Sequence, residues 1–333
     1  MAFPTNITPQ AYGDGDFIAG VVDTLYKQYV SLEQTICPWI HAYTGAALRH
    51  GAGLNAVLPV PGQLDASTTQ LPAQADPAAL VVTDDEVSIA LRDDGAFMTF
   101  MDTLMQQKDL PAIAEISEIM MDQAVRSLDL IAGTPAIGGS NLIYVNDRAA
   151  PVNLVAGDVL EGRHFVQARA LLRQRKARAF SGAQNGTPGG MYRAFLSPAT
   201  VGDLFLDGGN AGSFTDAVRY TTNAPFIAGL IGTFHGFEIY EADQLTSSEL
   251  DAGVGADGGA GLGEADLITT QFVGADYLRH TLYQPFTVLG PSKAGDQMER
   301  AWKLAWRKRW GVGRVREAAG LRIRHRAANA INP

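Results

Sequence analysis

Histidine is the side chain best suited to acid–base or metal chemistry near neutral pH. The six histidines here, at positions 41, 50, 164, 235, 280 and 325, are scattered, and none stands in an H-E-x-x-H or comparable metal-ligand spacing. Cys37 is the single cysteine, which excludes an intrachain disulfide and any thiolate cluster for zinc or iron–sulfur. There is no G-x-S-x-G nucleophile elbow and no G-x-x-x-x-G-K-[ST] phosphate loop. Gly253-x-Gly255-x-x-Gly258 has the spacing of a dinucleotide fingerprint, but it follows Ser247-Ser248-Glu249-Leu250-Asp251-Ala252 rather than a buried strand, and no helical pattern opens behind it. Asp84, Asp85 and Glu86 could hold a cation; a solvated strand is the simpler reading. Asn185-Gly186-Thr187 matches a glycosylation acceptor and reads as a turn. His235 lies beside an apolar stretch and reads as a structural histidine. The expectation is therefore a protein that is not an enzyme, with no catalytic, cofactor-binding or metal-ligating residue and no cofactor.

Position is better specified than chemistry. Leu110 to Ala132 reads as one long helix, about 35 Å at 1.5 Å per residue. Asp109 can cap it and Pro111 sits in its first turn. Gly133 and Pro135 are expected to end it. Ile113, Ile116, Met120, Ala124, Leu128 and Ile131 form its apolar stripe, with Glu115, Glu118, Asp122, Arg126 and Asp129 on the wet side. A helix this long is expected to act as the spine of a domain.

The other elements fall around it. Residues 1–13 read as an extended arm, and Asp16 to Tyr29 as a helix with Phe17, Val21, Val22, Leu25 and Tyr26 on one side. Residues 45–97 are rich in Gly, Ala, Pro, Thr and Asp, and Pro59, Pro61, Pro72 and Pro77 exclude a helix through the middle. Val87, Ile89 and Leu91 alternate with Ser88, Ala90 and Arg92, so the segment reads as a long hairpin with strand flanks and an irregular tip. Leu142 to Val145 is a short strand. Asp158, with Glu161 three residues on, is expected to cap a second helix running to about Ala179, with a basic late half. Strands follow at Met191 to Leu196 and Leu267 to Val273, a short helix from Pro198 through Leu206, and a strand pair between Gly229 and Glu241 around Gly232 and Gly236. Residues 251–263 are low complexity and read as a mobile loop.

At 333 residues the chain suits two domains or one with large insertions. Only 18% of residues are charged, below the usual quarter, which hints at surface hidden between subunits. No run approaches 18 apolar residues, so no membrane-spanning helix is expected, and the polar N-terminus does not read as a signal peptide. The net charge of −9 is uneven: Lys293 to Arg326 carries eleven Lys/Arg against Asp296, Glu299 and Glu317, leaving −17 on the remainder once that +8 is taken out. Trp302, Leu304, Trp306, Trp310, Val312 and Val315 interleave with these cations, the pattern of strands with one buried and one basic face. A structural or intersubunit role is expected for them rather than direct DNA binding, since the acidic whole is a poor partner for phosphate.

The order of parts carries a resemblance. Tyr192-x-x-Phe195-Leu196-Ser197-Pro198 is followed by Val201 and Asp203-Leu204, then by Gly229-Leu230-Ile231-Gly232 and Gly236-Phe237-Glu238-Ile239-Tyr240-Glu241; Asp296, Ala301-Trp302-Lys303 and closing strands end the chain. Behind an arm, a Pro/Gly-rich hairpin and a spine helix, this order resembles the major capsid proteins of tailed phages, the Hong Kong 97-type fold. The resemblance covers nearly the whole chain. It implies an α+β fold with residues 1–44 as N-terminal arm and helix, 45–97 as an extended loop over the neighbouring subunit, and 98–180 as a peripheral domain around the spine helix. It further implies residues 181–290 as an axial domain and 291–333 as return strands to the peripheral domain. The function implied is assembly into pentamers and hexamers that close an icosahedral shell around double-stranded DNA. The implied partners are the chain itself, a scaffolding protein, a portal and a decoration protein, with packaged DNA contacted only weakly and no membrane. The implied location is the virion, assembled in the host cytoplasm.

Ordering an uncored arm and hairpin costs about 1–2 kcal/mol per residue. Packing on a neighbour across roughly 2,000–5,000 Å² can offset that. Two departures from the family stand out. Residues 45–97 contain no lysine, so the Lys–Asn self-crosslink of part of the family cannot form from this loop. A long charged helical extension before the arm is missing, so a separate scaffold or an already processed chain is expected. The competing readings are an encapsulin-like compartment shell, an unrelated soluble α/β enzyme, and a tail tube protein, the last disfavoured by the spine helix.

Overall fold

The computed structural model describes residues 25, 27, 29, 38–46, 55–61, 84–101, 111–150, 153–154, 157–180, 190–206, 230–242, 267–293 and 301–326. Three helices are described: α1 (Pro111–Ile137), α2 (Gly162–Gln174) and α3 (Pro198–Leu206). The strands are β1 (Tyr43–Ala46), β2 (Asn55–Pro61), β3 (Asp84–Ala90), β4 (Arg92–Met101), β5 (Leu142–Tyr144), β6 (Tyr192–Leu196), β7 (Leu230–Phe234), β8 (Phe237–Glu241), β9 (Leu267–Val273), β10 (Leu278–Lys293), β11 (Ala301–Arg314) and β12 (Gly320–Arg326). The chain is a mixed α+β protein. One sheet has the order β1-β10-β11-β4, a second β5-β12-β9-β6-β8-β7, and β2 pairs only with β3. Side chains from α1, α2 and both larger sheets share a single hydrophobic core.

The spine helix is longer than its punctuation suggests. It runs through Gly133 and Pro135 to Ile137 instead of stopping at Ala132. Gly133 is not a cap: a Cβ there would lie 2.8 Å from Trp39 Nε1, so glycine lets the fully buried indole press on the helix. Pro135 falls in the last turn, where its ring nitrogen cannot donate to the Ile131 carbonyl, yet the helix continues and Gly138 N–H still donates to the Thr134 carbonyl. Met120, Ala124 and Leu128 are buried as expected, joined by Met121, Val125 and Ala132, while Ile116 and Ile131 are partly buried against the same core. Asp129 departs from the expected wet face. It is buried, and its carboxylate accepts the Trp39 backbone N–H at the 3₁₀ turn Pro38–His41.

Helix α2 starts later and ends sooner than expected. Glu161, not Asp158, is the cap, and its backbone N–H donates to His164 Nδ1 in a capping box. Asp158 is buried and accepts from Asn146 and Arg148. The helix stops at Gln174 because Lys176 takes a left-handed φ of 53°. Ala177 N–H then reaches the Leu172 carbonyl and Lys176 N–H the Arg173 carbonyl, a Schellman ending with lysine in glycine's usual place.

Strand β9 and helix α3 match the sequence reading residue for residue. The β7–β8 pair turns at His235-Gly236, both with positive φ (47° and 88°), as a two-residue hairpin of the right twist requires. Gly232 lies at a bulge in β7 rather than at the turn. His235 is exposed at this turn, its ring centroid 4.1 Å from that of Phe234. Among the described residues no helix is long and apolar enough to cross a membrane. Of the expected N-terminal helix, Leu25, Lys27 and Tyr29 are described as helical, and Leu25 and Tyr29 are buried. The arm 1–13, Cys37, the hairpin tip 62–83, Asp109, Asn185 to Thr187 and the glycine-rich segment 251–263 lie outside the described residues.

Candidate assembly surfaces

Strand β11 has the two faces its sequence announced. Leu304, Trp306 and Trp310 point inward and are buried, while Lys303 and Arg307 are exposed. The Trp306 indole N–H donates to Gln123 of α1 (3.0 Å), tying the strand to the spine helix. Trp310 N–H donates to the buried Asp94 carboxylate on β4 (2.8 Å). Lys308 reaches inward, its ammonium 4.5 Å from the Trp310 ring centroid and bonded to the Tyr29 hydroxyl. Tyr29 stacks on Phe286 of β10 at 3.7 Å, which brings the end of the N-terminal helix onto the same face.

The outer face of this sheet is open among the described residues and sorts by register. Asp93 is opposite Arg309 and accepts from Arg307 (3.0 Å). Next along the strands, Phe97, Ala305 and Leu289 form one cross-strand row, with Phe97 75% and Leu289 46% exposed.

The β2–β3 hairpin has a small core of its own: Ala56, Leu58 and Ile89, packed by Leu91 and Val315. Its root seats on β11 through two glycines. A Cβ at Gly311 would lie 2.7 Å from the Ala90 carbonyl oxygen, and one at Gly313 2.9 Å from Ile89. From that root β3 runs seven residues outward to Asp84, and Glu86 is exposed.

Polar groups converge at the end of α1 and beside α2. Tyr277 hydroxyl donates to the Ala136 carbonyl and Arg322 to the Ile137 carbonyl, satisfying the helix end. Arg314 pairs with Glu317. Asp276 is shared by Arg178, Arg279 and Arg316 at 3.6, 3.7 and 4.0 Å, and Arg316 also donates to the Arg175 and Lys176 carbonyls. In the second sheet Arg193 sits directly opposite Glu238, donates to it (2.9 Å) and covers the Phe180 ring at 4.0 Å. Except for Arg314–Glu317 and Asp276–Arg279, which are three residues apart, these pairs join residues far apart in sequence and form no local motif.

The histidines stay apart in space as in sequence. His41 stacks on Tyr240, and burial followed by the Arg193 charge pulls its pKa down to about 4. His325 is fully buried, bonded to the Thr270 hydroxyl, and burial lowers it to about 4. Burial also lowers His164 and His280. Among the described residues no three His, Cys, Asp or Glu side chains gather into a metal site. The Asp84–Glu86 run forms part of β3.

No family model and no curated protein matches the sequence. Solved structures do match. A chain of the "Cyanophage Pam1 capsid asymmetric unit" aligns with TM-score 0.59 at 15% identity, covering 84% of this chain and 87% of that one. A chain of the "Capsid of Ralstonia phage GP4" gives TM-score 0.67 at 11% identity, covering 87% and 88%. A chain of the "Capsid structure of the Cyanophage P-SCSP1u" gives 0.56 at 11%, covering 97% and 91%. With 84–97% of this chain and 87–91% of the matched chains covered, the chain has the fold of phage capsid proteins.

Proposed function

We propose that this protein is the major capsid protein of a tailed phage. It self-assembles into pentamers and hexamers that close an icosahedral shell around double-stranded DNA. The observation that carries the reading is the near end-to-end likeness to capsid chains, joined to a two-stranded hairpin that leaves the body with almost no core. Two strands alone are marginal in water, so such a hairpin needs a partner surface. The open outer face of the β1-β10-β11-β4 sheet, with Phe97 and Leu289 in one row, offers further surface for subunit contact.

Within this reading residues 1–44 serve as the arm, 45–97 as the extended loop over a neighbour, 98–180 as the peripheral domain, 181–290 as the axial domain and 291–333 as its return strands. Strands β4 and β10 run through two of these boundaries, so the parts are joined by continuous strands rather than by linkers. The role is mechanical and not enzymatic. A scaffolding protein, a portal and a decoration protein are the further partners, and the mature location is the virion, after assembly in the host cytoplasm. Sedimentation of the purified chain, alone and with the products of neighbouring genes, tests the reading. Particles of megadalton mass are expected; a small fixed oligomer under every condition contradicts it.

A further inference from the structure

Charge is partitioned between two surfaces of this chain. From residue 51 to 91 there is no Lys, Arg or His, while Asp65, Asp76, Asp84, Asp85 and Glu86 give the hairpin segment a net charge of −5. Beside the end of α2, three backbone stretches bring Arg175, Lys176, Arg178, Arg279, Arg314 and Arg316 together, and among the described residues Asp276 and Glu317 pair with arginines there. Asp276 is too far from its three guanidiniums for short hydrogen bonds. Among the described residues Arg175 Nη1 and Arg279 Nε are buried with no hydrogen-bond partner. The Arg178 side chain is 76% exposed. Among the described residues these five arginines therefore carry more positive charge and more donors than the two carboxylates satisfy.

The two surfaces of one copy are kept apart. Val315, flanked by Arg314 and Arg316, packs against the hairpin at its root. Asp84 to Glu86 lie at the far end of β3, and the strand carries Asp84 about 20 Å outward from Ala90 at ~3.3 Å per residue. We infer that the acidic hairpin of one copy docks on the arginine cluster of a second copy. The pairing rests on the shell reading above and names the contact that would hold neighbouring subunits in register. Carboxylates on arginines supply directional, charge-assisted bonds, and like charges at the wrong register would repel. Nucleic-acid phosphate is the competing ligand for the same arginines, and the test separates the two.

Two charge-reversed variants are compared: Asp85→Lys with Glu86→Lys on the hairpin, and Lys176→Glu with Arg178→Glu on the cluster. Thermal melts of the unassembled chains screen out misfolding. Each variant alone is expected to lose shells, and the four-fold combination to regain them. Shells from either variant at wild-type yield would overturn the pairing. So would folded single variants that fail together with a folded combination that also fails. A cluster variant that assembles normally but loses nuclease-protected nucleic acid would give the patch to phosphate and overturn the pairing too. A second measurement does not depend on shells. In a Cys37→Ser background, Glu86→Cys copies are mixed with Arg178→Cys copies and treated with a short bis-maleimide. A dimer band that neither variant gives alone is expected, and its absence would overturn the pairing. A wild-type chain that forms no shells, alongside a cysteine pair that still gives this band, would sink the shell reading and leave the pairing standing.

Discussion

The indole N–H of Trp310 and the carboxylate of Asp94 meet at 2.8 Å across the β4–β11 pair, both buried. Arg92 holds the other carboxylate oxygen at 2.9 Å. This bond ties the strand that leaves the hairpin to the tryptophan-rich return strand.

Trp310→Phe keeps an aromatic ring but removes the donor and part of the buried volume, leaving one oxygen of a buried carboxylate unsatisfied. The predicted loss is about 1–3 kcal/mol of stability. Denaturant melts of the unassembled chain check this, and an unchanged midpoint would show that the bond is unimportant.

Gly133→Ala separates two opposing effects. Helix propensity alone would make alanine more stable by ~1 kcal/mol. The new methyl would instead meet the rigid, buried Trp39 ring at 2.8 Å, and overpacking of this kind costs about 1–3 kcal/mol. Net destabilisation is predicted from the same melts; a gain in stability would mean that Trp39 does not press on the helix.

Those two sites also mark where sequence reading succeeds and where it stops. The period-two alternation of tryptophan with cations in β11 is local, so its buried and basic faces were legible before the fold was known. Gly133 and Pro135 looked like a stop signal because the reason for the glycine is Trp39, a contact that no local pattern encodes. Asp129 and Asp158 looked like solvent-facing or capping residues for the same reason. Each is buried against groups supplied by other elements. The assembly surfaces were legible only in outline, as an uncored acidic hairpin and a basic tail, because the arginine cluster is built by three separate stretches.

Acid should weaken the fold through its buried histidines. The ordinary pKa of 6.5 falls to about 4 for His41 and His325 in the folded chain. Between those values the unfolded chain binds more protons than the folded one, so stability rises with pH across the window. This contribution is fully present above 6.5 and is lost as pH falls towards 4. Denaturant midpoints across the window should show the slope, and His41→Phe, which can keep the stack on Tyr240, should reduce it while the His325 share remains. A flat wild-type profile would contradict both assignments.

No lysine lies between residues 45 and 97, so the hairpin cannot supply the amine of an isopeptide bond. Assembled particles boiled in denaturant should run as single chains on a gel. A ladder of covalent multimers would contradict this and would require a different nucleophile.

Copies of this chain are expected to close into a shell. Negative-stain electron microscopy of the purified protein, expressed with its neighbouring genes, tests it most directly. Closed polyhedral particles about tens of nanometres across are expected, in keeping with five- and six-fold assemblies of a capsid fold. Small uniform oligomers that are neither pentamers nor hexamers, at every salt and crowding condition, would contradict it.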